Sequence, residues 1–382
     1  MTSLRCGRSL LTATLSVLIA GLVACGGDEP AAQTPNPIPA TSAPLQSGTS
    51  TTRTNPTTST PASSPSTQGS GPSLRGYHRM LAVGGDLPLL LLGGFRAPGP
   101  IDASTLAPDP AWGFGFGVGW SELGHDELPP LQDAVYESGS DLVVILTPNN
   151  PQIAPDLSGP TTFTYEPSSG EIRQMGPGGP ESLIGTRAAY DAESDRIIAF
   201  GGWDLGPAES SQTWAYDTDT DTWTEMSPGV SPPGRNFHEM VYDPTGDRVI
   251  LFGGGTGPAS LGDTWAYDYN SDTWTALATE GPAPRSYSSM TYDSARQRLI
   301  LFGGVTGPSE EPLDDTWAFD LESHIWTELD PDNPPSARGW HAMAYDSDQD
   351  VVVMFGGGPR REAYTAETWI YDPTDETWRQ AP

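Results

Sequence analysis

Arginine and histidine recur three residues apart at Arg75/His78, Arg235/His238 and Arg338/His341, with Arg285/Ser288 as a partial copy. Three imidazoles brought together could ligate zinc or copper, and the guanidinium groups could hold a carboxylate or a sugar. The competing reading is structural: buried Arg and His that hydrogen-bond between neighbouring units of a repeat. Two tryptophans, Trp203 and Trp340, stand outside any pairing pattern and could serve a glycan or a peptide as aromatic contacts. A second constellation is acidic. Asp217, Asp219 and Asp221, and again Asp268, Asn270 and Asp272, match the opening of a calcium loop. Such a loop next needs glycine at its sixth position and glutamate at its twelfth, where this chain has Thr222 and Thr273, then Pro228 and Thr279. The ladder therefore reads as a hairpin turn. No G-x-S-x-G elbow or H-E-x-x-H pair occurs, and carboxylates are too numerous to single out a catalytic pair. No catalytic residue, metal or cofactor is assigned.

The elements that position these residues repeat. Units beginning at Arg235, Arg285 and Arg338 run through a Tyr-Asp segment, an apolar run ending in Phe-Gly-Gly, and a hairpin with two tryptophans, as in DTWAYDYNSDTWTAL. The Gly-Gly pairs fall at 201/202, 253/254, 303/304 and 356/357, a spacing of 50 to 53 residues. Units from Leu183 and from Arg75 are recognisable. A degenerate one from Pro129 replaces the tryptophans with Phe163 and Ile172. Val249 to Phe252 is apolar without alternation, as in a strand covered on both faces, whereas Trp265 and Tyr267 share one face of the next strand. No long stretch has a helical period.

A period near 50 with a Gly pair, then Tyr and Trp, resembles the kelch repeat of β-propellers. The resemblance implies an all-β fold, a six-bladed propeller with four antiparallel strands per blade, over residues 75–382. The expected blades lie near 75–128, 129–182, 183–234, 235–284, 285–337 and 338–382. Each repeat supplies its own four strands, so the ring is expected to close by packing of the first and last blades. Strand alternation puts the short turns on one face and the longer connections, such as Trp203 to Gln212, Val305 to Leu313 and Gly358 to Glu367, on the other. That variable face is where binding is expected, with Arg75, His78, Trp203, Arg235, His238, Arg285, Arg338, Trp340 and His341 as candidate ligand residues. A sugar-acting enzyme similar to the kelch-fold sialic acid mutarotases is the alternative, and a structural envelope component a third. A copper oxidase like galactose oxidase is excluded, because that family cross-links a cysteine to tyrosine and this domain has no cysteine.

Ahead of the repeats, residues 9–24 form an apolar run after Arg5 and Arg8 that ends in Leu22-Val23-Ala24-Cys25. This resembles a secretory signal peptide (residues 1–24) with a lipobox, making Cys25 the expected lipidation site and the location extracytoplasmic. Gly26 favours the outer membrane in a cell that has two. Residues 25–74 are dominated by Ser, Thr, Pro, Gly and Ala and read as a disordered linker, about 150 Å long if polyproline-like and about 40 Å root-mean-square if flexible. All 18 basic residues are arginine, and losing the leader takes the formal charge from −31 to −33. That balance argues against nucleic acid and against any membrane contact beyond the lipid. The expected role is a monomeric, lipid-anchored binding module for protein or glycan.

Overall fold

The computed structural model describes residues 71–382 apart from 86–87, 96–109, 125–127, 148–158, 182–183, 204–205, 207, 258, 278–279 and 362. The leader, Cys25 and the linker up to residue 70 lie outside the described residues, as do most of the 2–3 connections in the first two blades.

Six four-stranded antiparallel sheets follow one another along the chain. The first comprises β1 (Gly76–Ala82), β2 (Leu89–Phe95), β3 (Trp112–Gly115) and β4 (Gly119–Glu122); the second β5 (Asp133–Glu137), β6 (Leu142–Leu146), β7 (Thr161–Glu166) and β8 (Glu171–Pro177). The third contains β9 (Arg187–Asp191), β10 (Arg196–Phe200), β11 (Thr213–Asp217) and β12 (Thr222–Glu225). In the fourth and fifth blades a two-residue hairpin interrupts the sequence. These run β13 (Glu239–Asp243), β14 (Arg248–Phe252), hairpin β15 (Gly255–Thr256) and β16 (Ala259–Ser260), β17 (Thr264–Asp268), β18 (Thr273–Ala276), then β19 (Ser289–Asp293), β20 (Arg298–Phe302), hairpin β21 (Val305–Thr306) and β22 (Glu311–Pro312), β23 (Thr316–Asp320), β24 (Ile325–Leu329). The sixth has β25 (Gly339–Asp346), β26 (Val351–Gly358), β27 (Thr368–Asp372) and β28 (Thr377–Gln380). This is the six-bladed propeller expected from the repeat.

The unalternated apolar run has a direct explanation. In β14, Val249 and Leu251 pack with Ile198 and Phe200 of the third blade, while Ile250 and Phe252 pack with Leu299 and Leu301 of the fifth. All four are fully buried. Successive side chains of one strand thus supply two different blade interfaces, and each buried residue contributes about 1.5–3 kcal/mol.

The hairpin tryptophan belongs to the neighbouring blade as much as to its own. The indole N–H of Trp274 donates to Thr213 Oγ1 at 2.9 Å, that of Trp326 to Thr264 Oγ1 at 2.9 Å and that of Trp378 to Thr316 Oγ1 at 3.3 Å. In each case the acceptor is the Thr that precedes Trp in the third strand of the preceding blade. Trp120 closes the ring by the same contact, donating to Thr368 Oγ1 at 2.8 Å, and Phe355 and Ile370 of the last blade share a core with Leu91 and Phe114 of the first. No strand crosses this seam among the described residues.

Replacing Thr368 by Val removes the seam acceptor while keeping its volume. It should lower stability by about 1–2 kcal/mol in urea denaturation, as much as Thr264→Val costs at an interior interface. A negligible cost for Thr368→Val alone would show that the seam is held otherwise.

Candidate functional site

The four arginines proposed as ligand contacts are instead buried at the blade junctions. Arg75, Arg235, Arg285 and Arg338 are exposed by 1% or less. Each sends Nη1 to the carbonyl of the first glycine of its own Gly-Gly pair, at Gly93, Gly253, Gly303 and Gly356, 2.9–3.1 Å away. Three also hold an acid: Asp263 and Asp315 bidentately, and Glu367 through one oxygen. That acid in turn accepts the indole N–H of the tryptophan two residues later. The arginine carbonyl accepts from the second glycine of the preceding blade, Gly202 to Arg235, Gly254 to Arg285, Gly304 to Arg338 and, across the seam, Gly357 to Arg75. The Gly pair has positive φ throughout (71° and 67° at Gly356 and Gly357), and a Cβ on Gly357 would sit 2.5 Å from Gly339 O.

The histidines do not converge either. His78, His238 and His341 lie edge-on against Phe355, Phe200 and Phe302 of the preceding blade, with ring centroids 5.5–5.7 Å apart. His78 Nε2 is 2.9 Å from Phe355 O. Burial, reinforced by the neighbouring arginine, lowers all three below the ordinary imidazole range, His341 to about 3. They are neutral core side chains in a binding surface's apparent motif. Trp340, 2% exposed, is also buried, and Trp203 is half-buried, its indole N–H donating to Gly206 O at 2.8 Å.

The acidic ladder is a turn. Asp268 Oδ1 accepts the amide of Ser271, and Asp272, at φ 48°, accepts the hydroxyl of Tyr267 at 2.9 Å and the amide of Ser227 of the previous blade. Asn270 donates to Glu193 and Asp247. Among the described residues no group of three or more His, Cys, Asp or Glu is placed to hold a metal ion.

Apart from Trp340, what does line the axis escaped the sequence reading. The residue between Arg and His, two after the arginine, is Tyr77, Phe237, Tyr287 or Trp340, and all four adopt left-handed φ of 51–62°. Such a conformation costs a bulky residue about 1–2 kcal/mol. It is offset by hydrogen bonds that run around the ring: Phe237 N–H to Gly185 O, Tyr287 N–H to Phe237 O, Trp340 N–H to Tyr287 O, at 2.8–3.2 Å. The four rings meet across the axis, Tyr77 lying 6.0 Å from Phe237 and 5.7 Å from Tyr287, and Phe237 4.4 Å from Tyr287. They form an aromatic tier at the loop end of the channel.

Two residues further along each inner strand is a second tier of Arg79, Asp133, Arg187, Glu239, Ser289 and Ala342. The first four alternate in sign around the ring. Arg79 Nε is paired with Asp133, Arg79 Nη1 is 3.6 Å from Glu239 Oε2, and Arg187 Nε is 3.8 Å from Glu239 Oε1. Burial raises the Glu239 carboxyl and lowers Arg187. Aligning the repeats on their inner strands, with Gly76-Tyr77-His78 set against Gly339-Trp340-His341, would have exposed this alternation.

On the loop face, the 2–3 connection of the sixth blade carries Arg361 over the aromatic tier. Its guanidinium is 5.4 Å from the Tyr287 ring centroid and 5.9 Å from that of Trp340, donates to Tyr287 Oη at 2.9 Å and pairs with Glu310 of the β21–β22 hairpin at 2.6 Å. Tyr364 stands edge-on to Tyr77. The Arg361 side chain remains 46% exposed, making this the accessible mixed aromatic and charged surface at the channel mouth.

A family profile described as the KLHDC2/KLHL20/DRC7 Kelch-repeats domain matches residues 180–382, just over half of the chain. The chain belongs to the kelch-repeat family. Among its relatives are Mei4-dependent protein 6 of Schizosaccharomyces pombe, 31% identical over 195 residues, and Adagio-like protein 3 of Oryza sativa subsp. japonica, 30% identical over 203. Mouse multiple epidermal growth factor-like domains protein 8 is 29% identical over 110 residues. These matches cover 45%, 50% and 27% of this kelch chain but only 28%, 31% and 4% of the respective relatives. The matched segment thus spans less than a third of each of these relatives.

The histidine geometry fixes a pH response. With folded pKa values below 6.5, the neutral imidazoles add stability that is full above about pH 6.5 and is lost as pH falls, because the unfolded chain then takes up protons that the fold refuses. His341→Gln, the residue type of the second blade at this place (Gln132), should flatten the slope of stability against pH between 6.5 and 5. The change should be up to about 1.4 kcal/mol per pH unit, read from urea midpoints. An unchanged slope would contradict the burial of a neutral imidazole.

Proposed function

We propose that this kelch propeller is a non-catalytic protein-interaction module whose docking surface is the loop face around the channel mouth, held outside the cell membrane by a lipid on Cys25. The observation that carries the docking surface is Arg361, half exposed, pinned over Tyr287 and Trp340 and paired with Glu310. Arginine on an aromatic support, already ordered, loses little entropy on contact, and Arg, Tyr and Trp are the residue types that dominate interface energies. That the matched segment spans less than a third of each relative also fits a recognition module joined to other functions. The sugar-enzyme alternative had rested on arginines and histidines that are enclosed in the blade junctions. The leader, its lipobox and the 25–74 linker support the anchored location through their sequence alone.

Arg361→Ala should abolish partner capture from envelope extract, while Asp219→Ala on the short-turn face leaves it intact and both variants keep wild-type thermal midpoints within about 2 °C. Capture unaffected by Arg361→Ala, in a folded variant, would move the docking surface elsewhere.

Metabolic labelling with palmitate in a bacterial host should mark the wild-type chain and fail on Cys25→Ala; labelling that persists would remove the anchor from the proposal.

A further inference from the structure

The charged tier contains more donors than the fold uses. Asp133 already accepts three hydrogen bonds: Oδ1 takes Arg79 Nε and the Ala134 amide, and Oδ2 takes the Ala188 amide at 2.8 Å. Arg187 Nε donates to His238 O at 3.1 Å, but its Nη1 and Nη2 donate to no group among the described residues. Arg79 Nη1 is beyond hydrogen-bond distance of Glu239, and Glu239 Oε1, on a residue 2% exposed, accepts no hydrogen bond among the described residues. Two guanidinium groups therefore present unfilled N–H groups beside one loosely held carboxyl, in a place where water is scarce and an unmade hydrogen bond costs about 1–3 kcal/mol.

The two ends of the channel differ. The loop end is covered by Tyr77, Phe237, Tyr287 and Trp340, of which the last two are buried. Toward the short turns the next tier is Leu81, Val135, Ala189, Val241, Thr291 and Ala344, and Leu81, Val241 and Thr291 retain solvent exposure. Arg79 and Arg187 keep 17% and 11% side-chain exposure, so solvent reaches them. The tier thus combines a guanidinium fork, suited to the two oxygens of a carboxylate, with the partly exposed Leu81 and Val241 at the inner edges of two interblade cores on the short-turn side.

We infer that the channel binds a short-chain aliphatic monocarboxylate, its carboxylate on Arg187 and Arg79 and its alkyl tail directed along Leu81 and Val241 toward the short-turn face. Glu239, drawn by burial toward its neutral form, then donates to the bound carboxylate, and the tier of two cations, Asp133 and the ligand is electrically neutral. This site is separate from the loop-face surface, and either can fail without the other.

The test is titration of the full-length chain with carboxyl-13C butyrate, followed by carbon line broadening at constant ionic strength set by sodium chloride. Saturable broadening is expected, reversed by unlabelled butyrate and propionate and not by further chloride, with Arg187→Lys, which keeps the charge and loses the fork, weakening binding at least tenfold. Arg187→Gln should bind no measurable butyrate, and Glu239→Gln, which still donates, should stay within about threefold of wild type. Non-saturable broadening in the wild type, or equal displacement by chloride, overturns the proposal without recourse to any variant. So does wild-type affinity in a folded Arg187→Lys.

Discussion

Everything in this propeller depends on how one blade grips the next at its inner edge. A single arginine does this in four of the six blades: its guanidinium holds the first glycine carbonyl of its own Gly-Gly turn, and its backbone carbonyl receives the second glycine amide of the blade before. Burying a guanidinium is costly unless its charge is paired and its donors are occupied, and the DTW or ETW acid supplies the counter-charge at Asp263, Asp315 and Glu367. The Arg, Gly-Gly and acid-Thr-Trp motifs, scattered through each repeat, are parts of one junction. The tryptophan of the hairpin and the Thr it reaches are the outer counterpart of the same grip.

This constraint decides which residues remain for function. A side chain enclosed between blades is a poor candidate to meet a ligand, and that removes Arg75, Arg235, Arg285 and Arg338, held by the junction, and the three histidines buried behind them against Phe355, Phe200 and Phe302. It leaves what the junction carries outward: the aromatic residue forced into left-handed geometry between Arg and His, and above it the connections of the fifth and sixth blades with Glu310, Arg361 and Tyr364. Binding chemistry at the mouth is built on the junction without being part of it.

The fold was legible because its cause is periodic. Val249 to Phe252 announces a strand covered on both sides, the Gly pairs count the blades, and the Trp hairpins mark the outer strands. The site was less so. Recurrence of Arg and His identified a position of special chemistry, but periodicity cannot say whether a side chain faces an open channel or a neighbouring blade. Left-handed Tyr, Phe and Trp run against local preference and are set by the ring of hydrogen bonds from Gly185 to Trp340. Arg79, Asp133, Arg187 and Glu239 lie about a repeat apart, so their alternating charge becomes visible only when all units are superposed. Arg361 lies in a connection that no other blade repeats.

The central claim is that the seam between the last and first blades is held by the same contacts as the three interior junctions that carry the arginine, with no shared strand among the described residues. Native-state hydrogen exchange of the glycine amides measures it most directly. Gly357, which donates to Arg75 O at 3.0 Å, should exchange as slowly as Gly254 and Gly304, which donate to Arg285 O and Arg338 O at 2.8 and 2.9 Å, all three by global unfolding. A Gly357 amide that exchanges by local opening, orders of magnitude faster than the other two, would contradict the account.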